Sequence, residues 1–234
     1  RERRCERLSG GVPPWSWGEL EPLVQDLDAL YINFISGFEL DLETATRLRL
    51  AFPGPIYADL HSLLLGVAPG GLRTPQPLEA WREWLRCFDI IQVNEDELGY
   101  LADAWGDPWV FAAEVVSQEL RLLLVTMGAR GAAYVASPAF RPDPLSWRQP
   151  GLVTPTPVGV GGAVRTERVG QVTEVVDGDP TGCGDVWGAT CFVRLLAGAP
   201  LRAAMEAANR AAARNVAHRG ATGLHSFLQG RIQS

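Results

Sequence analysis

The sequence predicts an α/β fold whose central sheet is largely parallel and covered by helices on both faces. Apolar and β-branched runs of strand length at residues 28–35, 56–59, 88–93 and 122–126 alternate with stretches of helical periodicity. Parallel neighbours need such crossovers, and the crossover helices cover the sheet. No internal repeat interrupts the succession. At 234 residues the chain suits one domain of α/β type or two small ones, with ample length for a core. We expect a single core over 28–234, preceded by a remnant and a first helix at 1–27.

Taken in order, Ser16 and Glu19 have the spacing of a capping box and open a helix through about Asp26. Residues 28–35 read as a buried strand ending at Ser36-Gly37. Residues 41–51 are amphipathic, with Leu42, Ala45 and Leu48 at helical spacing, and Pro53-Gly54-Pro55 ends the helix. A short strand follows at 56–59, then a Pro/Gly loop at 66–77. Residues 78–87 are helical, with Trp81, Trp84 and Leu85 on one side. The strand at 88–93 leads into a helix starting at Asn94, and Pro108 opens another. Residues 131–136 should return as the hairpin partner of the strand at 122–126. Residues 138–162 lose their periodicity and read as a long loop. Residues 171–176 alternate as a strand, and 186–196 are apolar over a helical length. The last long helix, 200–218, starts at a Pro and takes Gly220 as its stop.

Composition narrows the function. The hydrophobic and charged fractions, 47% and 21%, are those of an ordinary globular protein. A net charge of -6 without a basic stripe gives no reason to expect nucleic acid. All 21 basic residues are Arg, so the Gly-Lys-Ser/Thr of a P-loop is excluded. Four scattered cysteines and three scattered histidines offer neither a zinc site nor a disulfide framework, which fits a reducing, cytoplasmic setting. No apolar run has the length of a bilayer span, so no membrane partner is expected.

The most informative stretch runs from Asp179 through Pro180, Thr181, Gly182, Cys183, Gly184 and Asp185. It lies between an expected strand and an expected helix. Gly182 and Gly184 open backbone conformations closed to other residues and leave room for a ligand. The first N–H groups of a helix lack intrahelical partners and carry the positive end of its dipole, which makes this turn an anion cradle. Asp185 adds a carboxylate able to take a proton. Donors facing an anion beside such a carboxylate are what phosphoryl transfer to a hydroxyl requires. The plainer reading, a capped turn with an Asp favoured by the dipole, needs only the same residues.

The full string resembles the C-terminal signature of the ribokinase-like (PfkB) carbohydrate kinases, Asp-Thr/Pro-Thr-Gly-Ala/Cys-Gly-Asp, and matches it at every position. The resemblance implies a ribokinase-like three-layer α/β/α fold with a mostly parallel sheet. It implies an ATP-dependent kinase of a small sugar or nucleoside hydroxyl. Asp185 would be the base, and the N–H groups of Gly182, Cys183 and Gly184 would hold the transferring phosphoryl group. Asn94 and Glu97 match the family's Asn-x-x-Glu, which organises the water shell of Mg2+; by spacing alone they read first as a capping box. Thr126, Gly128 and Gly131 resemble the family's Thr-x-Gly-x-x-Gly along the nucleotide, or form a plain Gly turn. Asn209 falls where the family places a residue near the adenine. Gly220, in Arg219-Gly220-Ala221-Thr222, resembles the lining of the adenine pocket and of a K+ site in some members. Asp179 would contribute to that cation site or hold the anion loop. Asp59 resembles part of an Asp-x-Asn stretch, with His61 as a loop residue or partner to Asp59. Of the eight tryptophans, Trp187 alone is expected near the site.

The family's front part carries a lid of strands, a Gly-Gly-x-x-Asn element and acidic residues for the sugar hydroxyls, which Gly10-Gly11-Val12-Pro13 does not match. The expectation is a fragment lacking its front, or a shortened relative. Relatives dimerise through the lid, so a homodimer is implied with a lid and a monomer without one. Two rivals follow: a nucleotide-binding module without catalysis, and a dinucleotide-binding oxidoreductase. The second fits poorly, because Asp185 would face the pyrophosphate and Val164 stands where Gly159-x-Gly161 needs its third glycine.

Overall fold

The structure, a computed structural model, describes residues 6–231 except 12, 119, 139, 148–162 and 172–177. Its main sheet has six strands among the described residues: β1 (Leu30–Asn33), β2 (Ile56–Asp59), β5 (Ile90–Asn94), β6 (Leu122–Thr126), β7 (Ala132–Ala136) and β8 (Arg165–Val169), in that spatial order. The first four run parallel, and β7 and β8 continue antiparallel. A separate hairpin pairs β3 (Leu65–Val67) with β4 (Arg73–Pro75).

Alternate residues of the parallel strands feed two cores. Ala58, Ile91, Val93, Leu123 and Val125 face one side, with Leu48 of α2 (Leu42–Ala51), Trp84 of α3 (Trp81–Arg86), Leu98 of α4 (Glu95–Leu101) and Phe111 of α5 (Pro108–Gln118). Trp17 and Leu20 of α1 (Trp17–Val24) pack against that cluster. Tyr57, Ile90, Leu122 and Leu124 face the other side, against Trp187, Phe192 and Leu195 of α6 (Cys183–Leu196) and Met205 and Ala208 of α7 (Leu201–Val216). Burial on both faces explains why these strands are apolar almost throughout. The three-layer α/β/α fold is the expected one.

Several local expectations need correction. Residues 66–77 form the β3–β4 hairpin in place of a loop. Gly70 and Gly71, both near φ 80°, turn the chain, and the Arg73 guanidinium donates to the carbonyls of Ser36, Ser62 and Leu65 at 2.7–2.9 Å. Residues 6–8 lie beside this hairpin, with Arg73 N–H donating to Glu6 O and Leu8 N–H to Gly71 O. The strand β8 was not expected, because its charged, exposed outer positions break the apolar signal. The expected strand at 171–176 falls almost wholly on residues outside the described ones, as do Gly159 and Gly161. α7 ends at Val216 with Ala217 as its cap, so Gly220 is not its stop. A final short helix, α8 (Leu224–Leu228), follows.

Two glycines make the backbone argument testable. Gly131 turns β6 into β7 at φ 88°, and a Cβ there would lie 2.3 Å from Val169 O. Gly99, inside α4, would present a Cβ with nothing within 4 Å. Gly131→Ala should therefore lower the unfolding free energy by about 2–4 kcal/mol. Gly99→Ala should raise it by about 0.5–1 kcal/mol. Urea denaturation checks both, and equal effects would refute the reading.

Candidate active site

A cleft of about 950 Å³ opens at the carboxyl ends of the parallel strands, where Asn33 ends β1, Asp59 ends β2 and Asn94 ends β5. Ligands of open α/β sheets bind at this end because the strands stop there and the following helices begin. The expected residues Asn94, Glu97, Thr126, Gly128, Gly131, Gly182, Cys183, Gly184, Asp185 and Asn209 all line it. Asp179 and Gly220 do not.

The signature turn starts α6 three residues earlier than its apolar run indicates. Gly182 takes φ 76° and caps the helix at Cys183. Asp179 holds the turn from behind: its Oδ1 accepts from Thr181 N–H at 2.9 Å and from Thr181 Oγ1–H at 2.5 Å. The Cys183 N–H donates to Pro180 O at 3.1 Å. Asp185 sits in the first helical turn and is exposed to the cleft. Asn33 Nδ2 donates to Asp185 Oδ1 at 2.8 Å. Asp185 Oδ2 lies on the Gly182 side, 3.7 Å from where a Cβ on that glycine would be.

Beneath the turn runs a buried polar chain. Tyr57 Oη donates to Gln92 Oε1 at 2.6 Å, and Gln92 Nε2 donates to Asp59 Oδ2 at 2.6 Å and to Gly184 O at 3.1 Å. Asp59 also accepts from His61 N–H at 3.2 Å. Burial, reinforced by the Glu97 and Asp185 carboxylates, pushes the Asp59 carboxyl up to about 7. Sequence reasoning missed Asn33 and Gln92 as site residues. Their signal was present: each is a lone amide in an apolar strand run.

The Asn94–Glu97 pair realises the capping box and faces the cleft at the same time. Asn94 Oδ1 accepts from Glu97 N–H at 2.9 Å, Asn94 N–H donates to Glu97 Oε2 at 2.8 Å, and Asn94 Nδ2 donates to Glu97 Oε1 at 2.6 Å. The His61 side chain pairs with Glu97 and not with Asp59: Nδ1 lies 2.7 Å from Glu97 Oε1. Thr126 ends β6, and Gly128 and Gly131 shape the turn to β7. Asn209 is 6% exposed and its amide is taken up internally. Nδ2 donates to Val169 O and Gly170 O, and Oδ1 accepts from Trp187 Nε1 at 2.7 Å. Trp187 lines the cleft as expected.

The hydrogen bond to Glu97 raises His61 to about 9, helped by the charges of Glu97, Asp59 and Glu6. A raised folded-state value makes the His61 contribution to stability complete below the ordinary 6.5 and lost as pH climbs through about 9. Wild-type stability should accordingly decline between pH 6.5 and 9 more steeply than that of His61→Ala. Parallel pH–stability curves from chemical denaturation would count against the pair.

The family model described as pfkB family carbohydrate kinase matches residues 68–226. A search of curated proteins finds no match. Among solved structures, the ribokinase of Thermotoga maritima is 17% identical with a TM-score of 0.60, over 92% of this chain and 60% of that one. This chain thus spans about 60% of that enzyme's length. A pyrophosphate-dependent kinase of the ribokinase family, complexed with a pyrophosphate analogue and myo-inositol, gives 0.69 at 15% identity, over 97% and 70%. A putative ribokinase II from E. coli in complex with ATP and Mg2+ gives 0.62 at 20%, over 92% and 63%. With the family model covering more than half of it, the chain belongs to the pfkB family of carbohydrate kinases.

Proposed function

We propose that this chain carries out phosphoryl transfer from ATP to a hydroxyl of a small sugar or related substrate. The observation that carries the reading is Asp185, one carboxylate oxygen held by Asn33 and the other lying toward the glycine turn. Oδ2 takes the proton as the acceptor O–H bond breaks. The acceptor oxygen then bonds to the terminal phosphorus, and the bridging P–O bond breaks with its electrons on the leaving diphosphate. Gly182 and Gly184 N–H groups, at the positive end of α6, meet the charge on the transferring oxygens.

The residues fit Mg2+ held through its own waters. Among the described residues no three His, Cys, Asp or Glu side chains converge to bind a metal directly. Glu97 Oε2 accepts one protein hydrogen bond, which leaves it a lone pair for a metal-bound water. Asn94 and Glu97 would hold the ion, which when bound neutralises phosphate charge.

A second reading keeps the reaction and replaces ATP by pyrophosphate. It is favoured by Asn209, whose amide is already engaged by Val169, Gly170 and Trp187 and is not available to a base. A non-catalytic nucleotide-binding role remains the rival from another class.

The test is product release from ATP or pyrophosphate with Mg2+ and K+ across sugars, polyols and nucleosides. Turnover with one acceptor should fall about 100-fold or more in Asp185→Asn, while donor binding by calorimetry persists. Donor binding without turnover on any acceptor would favour the non-catalytic rival. Retained turnover in Asp185→Asn would remove Asp185 as base.

A further inference from the structure

We propose that Asn33 and Gln92 are positioning residues for Asp185, two strand amides that fix its side chain and its main chain together. The inference rests on the phosphotransfer reading and adds residues that the signature does not contain. Asn33, the last residue of β1, holds Asp185 Oδ1 at 2.8 Å. Gln92, on β5, holds the Gly184 carbonyl at 3.1 Å, the peptide unit that continues into Asp185.

Gln92 has no freedom to swing. It is 2% exposed, its Oε1 accepts from Tyr57, and its second N–H goes to Asp59 Oδ2. Both amide protons and the carbonyl are thereby engaged. α6 comes close enough for this because residue 188 has no side chain. A Cβ there would lie 2.4 Å from both Gln92 Oε1 and Tyr31 Oη.

The two contacts divide the work. Gln92 sets where the turn stands relative to the sheet. Asn33 sets the rotation of the carboxylate, so that Oδ2, not Oδ1, takes the proton. Displacement of such a group by about 1 Å costs roughly 100-fold in rate. The two amides sit on strands separated by β2, and Asp59 of β2 braces one of them.

The experiment measures kcat and KM for Asn33→Ala and Gln92→Met, each with and without Asp185→Asn. Each single variant should lower kcat about 10- to 100-fold while the donor KM stays within about twofold. In the Asp185→Asn background Asn33→Ala should cost nothing further, because the carboxylate it oriented is gone and no oxygen there acts as a base. Additive losses, or equal changes in kcat and KM alongside a lowered melting temperature, would assign both residues to mere stability. Asn33→Ala carries the test if Gln92→Met fails to fold. A readout independent of turnover separates this inference from the kinase reading. The Asn33 side-chain amide resonances should shift in Asp185→Ala and stay in place in Asp103→Ala, an exposed control. An unmoved amide in Asp185→Ala would overturn the inference. A shifted amide in a chain that turns over no acceptor would uphold the contact and overturn the phosphotransfer reading alone.

Discussion

Gln92 is a full amide buried in the middle of an apolar sheet, and the architecture around the cleft follows from satisfying it. An unpaired buried amide costs roughly 1–3 kcal/mol, so each of its polar atoms must find a partner. Tyr57 supplies one from the same face of the sheet, Asp59 another from the next strand, and the Gly184 carbonyl the last. The third partner brings the N-terminus of α6 down onto the sheet. Gly188 is the concession that makes the approach sterically feasible. A helix that packs on a sheet through Phe192 and Leu195 could slide by a fraction of a residue; one pinned by an amide cannot.

The same economy governs the other polar groups of the cleft. Strand interiors are closed to them by burial on both faces, so they collect where the strands end. There Asn33 meets Asp185, Asn94 meets Glu97, and Glu97 in turn meets His61. Asp59 is the group that pays most: neither Gln92 nor the His61 N–H offsets its burial among other carboxylates, and its ionisation moves toward neutrality. His61 moves the opposite way in charge, gaining a proton more readily beside Glu97. Asp59 and His61, two residues apart, thus titrate far from their ordinary ranges, the first chiefly through burial and the second chiefly through its hydrogen bond to Glu97.

How much of this was legible depended on the sequence distance over which each contact acts. The glycine turn, the Asn94–Glu97 box and the hairpin at Gly131 are local, and their residues announce them. The two-sided sheet was legible from the repeated strand-and-helix alternation. The hairpin of β3 and β4 was not, because its decisive contact is Arg73 reaching back to Ser36 and Ser62. β8 was missed because Arg165, Thr166 and Arg168 are exposed and leave Val169 as its only buried residue. The Cys183 N–H bond to Pro180 O is a detail of dihedral angles that no motif records. Asn33 and Gln92 act across 152 and 92 residues. No local pattern could have linked either of them to Asp185.

The six strands stand side by side in the order in which they occur in the chain. Each can therefore join a neighbour that precedes it in the chain. Assembly by such steps keeps contact order low and suits growth from the N-terminus during synthesis. The bond from Asn33 to Asp185 acts over a longer interval, joining β1 to a helix that follows β8. The placement of Asp185 is consequently a late product of folding, reached only when the α6 segment returns across the sheet to β1.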